Sequence, residues 1–231
     1  MSFTDEHKRA VGEAAAKLVE SGMIVGLGTG STAAWFVRAL AQRMASEKLD
    51  VRGVATSKAT ESLAEVLAIP LLELNQVEID LTVDGADEVG PGLQLIKGAG
   101  AALLREKLVW ESSRRCVVIV DAAKQVARLG KFPLPIEVVP FGHEATALRI
   151  CDALSGCDLG AAPRLRIRDG EVVVTDSGNL LYDVACGAID EPSMLADALK
   201  SVTGVVDHGL FLDLADEALI GGEGGVKRVT P

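Results

Sequence analysis

The chain has 231 residues, 48% of them hydrophobic and 24 of them glycine, which is ample for one large core or for a large and a small one. Its 33 acidic and 23 basic residues give a formal charge of −10 at pH 7, which disfavours nucleic acid and anionic membranes as partners. The opening Met1-Ser-Phe-Thr-Asp-Glu-His-Lys8 is polar and no long apolar run follows, so a cytoplasmic protein is expected.

Thr4 with Asp5 and Glu6 reads as a helix start, because acidic groups favour the positive end of the helix dipole. That helix is expected to stop near Gly22. A buried strand over 23–27 and a helix from Ser31 to about Glu47 follow. Next come a strand from Val51 to Ala55, a helix from Lys58 to Leu67 and a strand from Leu81 to Asp84. A helix from Ala101 to Ser112 and a strand from Cys116 to Val120 complete the pattern. Such alternation predicts an α/β fold, Rossmann-like, with a mainly parallel sheet and helices on both faces. Sheets of this kind bind ligands at the carboxyl ends of their strands. The glycine-rich polar segments after Leu27, Val83 and Ile96 fall there.

Two prolines in Gly130-Lys-Phe-Pro-Leu-Pro135 mark a boundary. Beyond it the sequence predicts a strand (136–139), a helix (about 144–154), three short strands near 164–168, 172–175 and 180–184, and a helix from Pro192 to Lys200. Pro192 suits a first helical turn, where its missing N–H costs nothing. Asp169-Gly and Ser177-Gly-Asn read as hairpin turns. The expected division is an α/β catalytic domain of residues 1–130 and 206–231 and a smaller α+β, ferredoxin-like domain of residues 131–205, the tail from Val205 returning to the first sheet.

Cys116, Cys151, Cys157 and Cys186 form no Cys-x-x-Cys pair, and Cys116 reads as a core thiol. His7, His143 and His208 lie far apart. Asp84, Asp87 and Glu106 are the ligand type that hard cations take, but Lys97 nearby would oppose one. No metal and no cofactor are expected.

Gly26-Leu-Gly-Thr-Gly-Ser-Thr32 joins a strand to a helix. The third glycine of a dinucleotide fingerprint would fall on Ser31, and no Gly-Lys-Ser/Thr follows. The segment is either a tight turn with Ser31 or Thr32 as N-cap, or an anion site at a helix N-terminus. Three hydroxyls in four residues (Thr29, Ser31, Thr32) favour a phosphate. Asp84-Gly-Ala-Asp87-Glu88 would by itself be a solvated acidic turn. Lys97-Gly-Ala-Gly100 and Glu106 follow it, however, and only a fold can make these groups meet. Arg105 and Lys107 fall on other faces of the Glu106 helix. Lys124 follows a strand end, where a lone lysine is usually a surface charge.

In order and spacing, residues 26–32, 83–88, 97–107 and 121–126 resemble the A-type ribose-5-phosphate isomerases, as do 129–138, 175–179 and 209–211. The likeness spans nearly the whole chain. It departs at Ala99, where the family often has glycine, by one methyl group in a ligand-facing turn. The resemblance implies a cofactor-free isomerisation between ribose 5-phosphate and ribulose 5-phosphate. Glu106 would move the proton from C2 to C1 through a cis-enediol(ate). Asp84 and Asp87 would position the sugar hydroxyls and help to open the ring, and Lys97 would stabilise the oxyanion. Thr29, Gly30, Ser31 and Thr32, with Lys8, would bind the phosphate. Gly85, Ala86 and Lys124 would contact the substrate, and Gly98, Ala99 and Gly100 would offer backbone N–H groups. The partner implied is a small phosphorylated sugar, in a homodimer or tetramer. The chemistry is consistent, since charge developing on oxygen needs fixed donors in a water-poor site. A sugar-phosphate sensor would need a DNA-binding unit, for which no spare segment is evident. An amino-sugar phosphate deaminase or a lactonase would need other catalytic residues.

Overall fold

The strand–helix alternation builds a six-stranded sheet in the order Gly225–Val229, Glu217–Gly222, Cys116–Asp121, Leu81–Asp84, Ile24–Leu27, Arg52–Ala55. The computed structural model describes residues 3–75 and 77–231. All neighbours in this sheet are parallel except the last hairpin, where Glu217–Gly222 and Gly225–Val229 run antiparallel. Val25, Leu27, Leu81, Val83, Val117 and Ile119 form one core with Val11, Ala15, Phe36, Val37 and Leu40 of the helices Phe3–Ala16 and Ser31–Glu47. The opposite face packs Ile24, Val54 and Ile79 against Val109 of the helix Leu103–Glu111. Side chains alternate across a strand, so a sheet covered twice needs the near-continuous apolar runs seen here.

The chain divides into two compact units: one holds everything up to Ala86, Arg105–Gln125 and Asp213–Pro231, and the other holds Asp87–Leu104 and Val126–Leu212. The division differs from the boundary drawn at the prolines, because 87–104, 126–130 and 206–212 group with the second unit. That unit contains an antiparallel sheet in the order Val205–His208, Leu134–Val138, Leu180–Val184, Pro163–Leu165. The helices His143–Gly156 and Pro192–Lys200 supply Ile150, Leu154, Leu195 and Leu199 to its core. Strand–helix–strand–strand–helix–strand is the ferredoxin-like pattern. A small second sheet joins Glu88–Val89, Leu95–Ile96 and Leu210–Phe211.

Element ends moved where local backbone forbids the simple reading. The first helix ends at Ala16, not near Gly22, because the chain tightens into i→i+3 bonds from Lys17, Leu18 and Val19. The helix expected from Ala101 begins at Leu103, since Ala101 is left-handed with φ 62°. Of the tail, only Glu217–Gly222 and Gly225–Val229 join the first sheet; Val205–His208 pairs with Leu134–Val138. Asp169 and Gly170, both at positive φ, make the predicted tight turn between Ile167–Arg168 and Glu171–Val172. Among the described residues no helix is long and apolar enough to cross a membrane.

Candidate active site

The strand Ile24–Leu27 lies between Arg52–Ala55 and Leu81–Asp84, so the strand order reverses beside it. A reversal of this kind opens a crevice at the carboxyl ends of the strands. Three predicted site segments of the first unit leave the sheet at that edge: 28–32, 84–86 and, after Cys116–Asp121, Lys124. The two nearest are stitched together. Gly28 N–H donates to Val83 O at 3.0 Å, and Asp84 Oδ1 accepts from Thr29 N–H at 2.9 Å and Gly85 N–H at 2.7 Å. Approach this close requires glycine at 28, where a Cβ would stand 2.3 Å from Asp84 Oδ1 and 2.5 Å from its Cα.

The helix that follows is capped by Gly30, with no side-chain cap. Ser31 and Thr32 therefore lie inside its first turn, and neither is the N-cap that the simpler reading made them. First-turn N–H groups lack intrahelical acceptors and carry the positive end of the dipole, which suits an anion. Lys8 adds a cation there, its Nζ 3.0 Å from Ser31 Oγ. Thr29, expected to bind the phosphate with Gly30, Ser31 and Thr32, also has contacts within the loop region. Its Oγ1 lies 2.7 Å from Thr56 Oγ1, 2.8 Å from Ser57 Oγ and 3.2 Å from Thr60 Oγ1. Thr60 Oγ1 also donates to Gly28 O at 2.9 Å. Thr29 thus shapes the loop from within. Sequence reasoning missed Thr56, Ser57 and Thr60; the available signal was Ser57 before the helix Lys58–Val66, which it caps through Thr60 N–H.

In the second unit the short strand Leu95–Ile96 delivers Lys97 and the turn after it. Lys97 is 2% exposed, its N–H bonds to Gly209 O at 2.9 Å, and its Nζ stands 5.4 Å from the centre of the Phe211 ring. Asp87 N–H donates to Ile96 O at 2.8 Å, and Asp87 Oδ2 accepts from Ala99 N–H at 2.9 Å. Asp87 and the 97–99 turn therefore meet. The Ala99 N–H, expected to face a ligand, is instead donated to Asp87. The positive φ of the turn falls at Gly98 (115°) and not at Ala99, so the alanine methyl carries no backbone penalty. Glu88 proves structural: buried, it accepts from Gly130 N–H at 2.8 Å and from Phe132 N–H at 2.5 Å.

Glu106 sits in the first turn of Leu103–Glu111 and is 5% exposed. Lys107 beside it is also buried, which the sequence did not signal. Lys124 is half-buried in the turn Ala122–Lys124, fixed by Asp121 Oδ1 accepting from Ala123 N–H at 3.0 Å. Among the described residues no group of three or more His, Cys, Asp or Glu is arranged to hold a metal ion.

A family model described as ribose 5-phosphate isomerase A (phosphoriboisomerase A) matches residues 52–225. The chain belongs to this family. It is 67% identical over 228 residues to the ribose-5-phosphate isomerase A of Caulobacter sp. (strain K31), covering 98% of this chain and 99% of that one. Its fold matches the ribose 5-phosphate isomerase A of Methanocaldococcus jannaschii with a TM-score of 0.91 at 39% identity, over 99% of this chain and 100% of that one. It also matches a D-ribose-5-phosphate isomerase in complex with phospho-erythronic acid, with a TM-score of 0.92 at 38% identity and 100% of both chains covered. The phosphoriboisomerase motifs therefore lie on the phosphoriboisomerase fold, with Lys97 and Glu106 both buried.

Proposed function

We propose that the chain interconverts ribose 5-phosphate and ribulose 5-phosphate. Two buried charges carry the reading: Lys97 and Glu106, on one short stretch after the Asp84–Asp87 turn. In the open-chain aldose the Glu106 carboxylate takes the C2 proton. The C–H electron pair becomes the C1=C2 bond, and the carbonyl electrons move to O1. The Lys97 ammonium stabilises that oxyanion, a fixed donor in a site poor in water. Glu106 returns the proton to C1 while the O2 hydroxyl proton passes to O1, leaving a ketone at C2. Asp84 and Asp87 hold the sugar hydroxyls and assist ring opening, with Gly85, Ala86, Gly98, Gly100 and Lys124 contacting the sugar. Gly30, Ser31, Thr32 and Lys8 hold the phosphate, whose binding energy is realised away from the reacting carbons.

Family membership supports this substrate, and so does the phospho-erythronic acid bound to a relative at 38% identity. The deciding assay gives purified protein ribose 5-phosphate with a chelator present and follows ketose formation. No ketose at any enzyme concentration would overturn the reading. We further infer service in the non-oxidative pentose phosphate pathway of the cytoplasm, as a homodimer. Ile167 and Val172, paired across an exposed hairpin at 61% and 43% exposure, support self-association. Sedimentation giving a monomer at micromolar concentration would refute the dimer.

A further inference from the structure

Two consecutive carbonyls in the Lys97 turn point at one guanidinium. Arg166 donates from Nη1 to Gly98 O at 2.7 Å and to Ala99 O at 3.4 Å, and Arg168 adds a bond from Nη2 to Ala99 O at 3.3 Å. The other edge of the Arg166 fork is held by Asp183: Nε donates to Oδ2 at 2.8 Å and Nη2 to Oδ1. The Arg166 side chain is 9% exposed. Asp183 is on the strand Leu180–Val184, which is paired on both sides, and the Arg166 N–H bonds to Leu181 O at 2.8 Å. The backbones of both partners are thus pinned by pairing.

In a planar trans peptide the C=O and N–H point in opposite directions. With Gly98 O on the guanidinium, the N–H of Ala99 is aimed the other way, and it meets Asp87 Oδ2 at 2.9 Å. The Ala99 carbonyl, turned to the same arginine, likewise aims the Gly100 N–H away from it. The 98–99 peptide is thus a dipole with its negative end on Arg166 and its positive end on Asp87. A series of partners runs from Asp183 through Arg166 and one peptide plane to a carboxylate proposed to hold the sugar.

We propose that Arg166, clamped by Asp183, is a positioning residue for the isomerisation: it sets the peptide planes of the 98–100 turn and, through them, the Asp87 carboxylate. The inference rests on the functional reading above. Arginine is needed here, rather than positive charge alone. Two carboxylate oxygens and two carbonyls are met at once by a planar fork, whereas a lysine ammonium is a single point donor. Displacing a substrate-holding group by about 1 Å can cost on the order of 100-fold in rate.

The test compares the parent with Arg166→Met, Arg166→Lys and Asp183→Asn in steady-state kinetics on ribose 5-phosphate, with Tm and circular dichroism as the folding control. For Arg166→Met we expect kcat to fall roughly 10- to 100-fold, with KM changed far less. Inhibition by inorganic phosphate, which reports the Lys8–Ser31 end, should stay unchanged. Arg166→Lys should recover only part of kcat, and Asp183→Asn should lower it by several-fold. A folded Arg166→Met with parental kcat, or a lowered Tm with kcat intact, would overturn the inference. If Arg166→Met does not fold, parental kcat in both Arg166→Lys and Asp183→Asn would overturn it equally. A parent unable to convert ribose 5-phosphate would remove the functional reading and this inference together; an active parent with unaffected variants removes this inference alone.

Discussion

Gly28 and Asp84 are far apart in the chain, yet the absence of one side chain decides where the other can stand. A methyl at 28 would overlap Asp84 at 2.3–2.5 Å. Gly28→Ala should therefore push the aspartate and its loop aside, costing about 1–3 kcal/mol of stability together with most of the activity. Urea denaturation and turnover measured on the same preparation check both parts. Glu106→Gln keeps the shape and removes the base. It should bind substrate with a near-normal KM and lose on the order of 10²- to 10⁴-fold in kcat; near-normal turnover would make the base assignment wrong. Asp84, Lys97 and Glu106 are singled out by the family resemblance, and a charge set against an apolar strand costs stability unless a partner or a ligand meets it. Thr29 could not be judged that way. Its hydroxyl faces Thr56, Ser57 and Thr60, whose nearness depends on the pairing of Ile24–Leu27 with Arg52–Ala55.

At the scale of elements, the start of the helix Ser31–Glu47, whose Gly30 cap offers no side chain, is the feature that most favours a phosphate. Ser31→Ala and Thr32→Ala should each raise KM for the phosphorylated sugar and leave kcat close to parental, as initial-rate kinetics would record. Unchanged KM values would return those hydroxyls to a purely structural part. The strand Leu134–Val138 carries a different kind of charge. Glu137 Oε1 accepts from Thr175 Oγ1 and Asn179 Nδ2, both at 2.9 Å. Burial pushes its carboxyl above the usual range; Asn179, Thr175 and the Leu104 backbone oppose that rise, and Asp207 adds to it. A carboxyl raised on folding favours the native state when protonated. Its contribution is complete below the unfolded value and is lost as pH rises through the folded one. Glu137→Gln lacks that titration. Its Tm relative to the parent should therefore climb as pH goes from about 4 to 7, and a constant difference in thermal melts would contradict the assignment.

At the scale of the molecule, each unit is assembled from separated stretches of chain. The core of the second unit draws Ile96, Leu129 and Leu210 from outside residues 131–205. Its edge strand Val205–His208 would also be cut at that boundary. A fragment of residues 131–205 should accordingly show no cooperative thermal transition, since an incomplete core cannot offset its chain entropy. A sharp transition in calorimetry would show that core to be self-sufficient. Prolines at 133 and 135 gave a visible boundary, but Pro135 lies inside the strand Leu134–Val138, and membership of a unit is decided by which distant strands pair.

The sequence by itself determined the periodic pattern of strands and helices, the family and the polar segments that follow the strands. Those follow from local alternation, turn residues and motif order, all of which are properties of neighbours in the chain. Tertiary structure alone decided that Gly30 caps the helix, that Thr29 turns inward, that Glu88 ties down Gly130 and Phe132, and that Arg166 and Asp183 hold the Lys97 turn. Each of these depends on how the chain is directed in space, and a hydrogen bond has a direction and a length that no spacing rule carries.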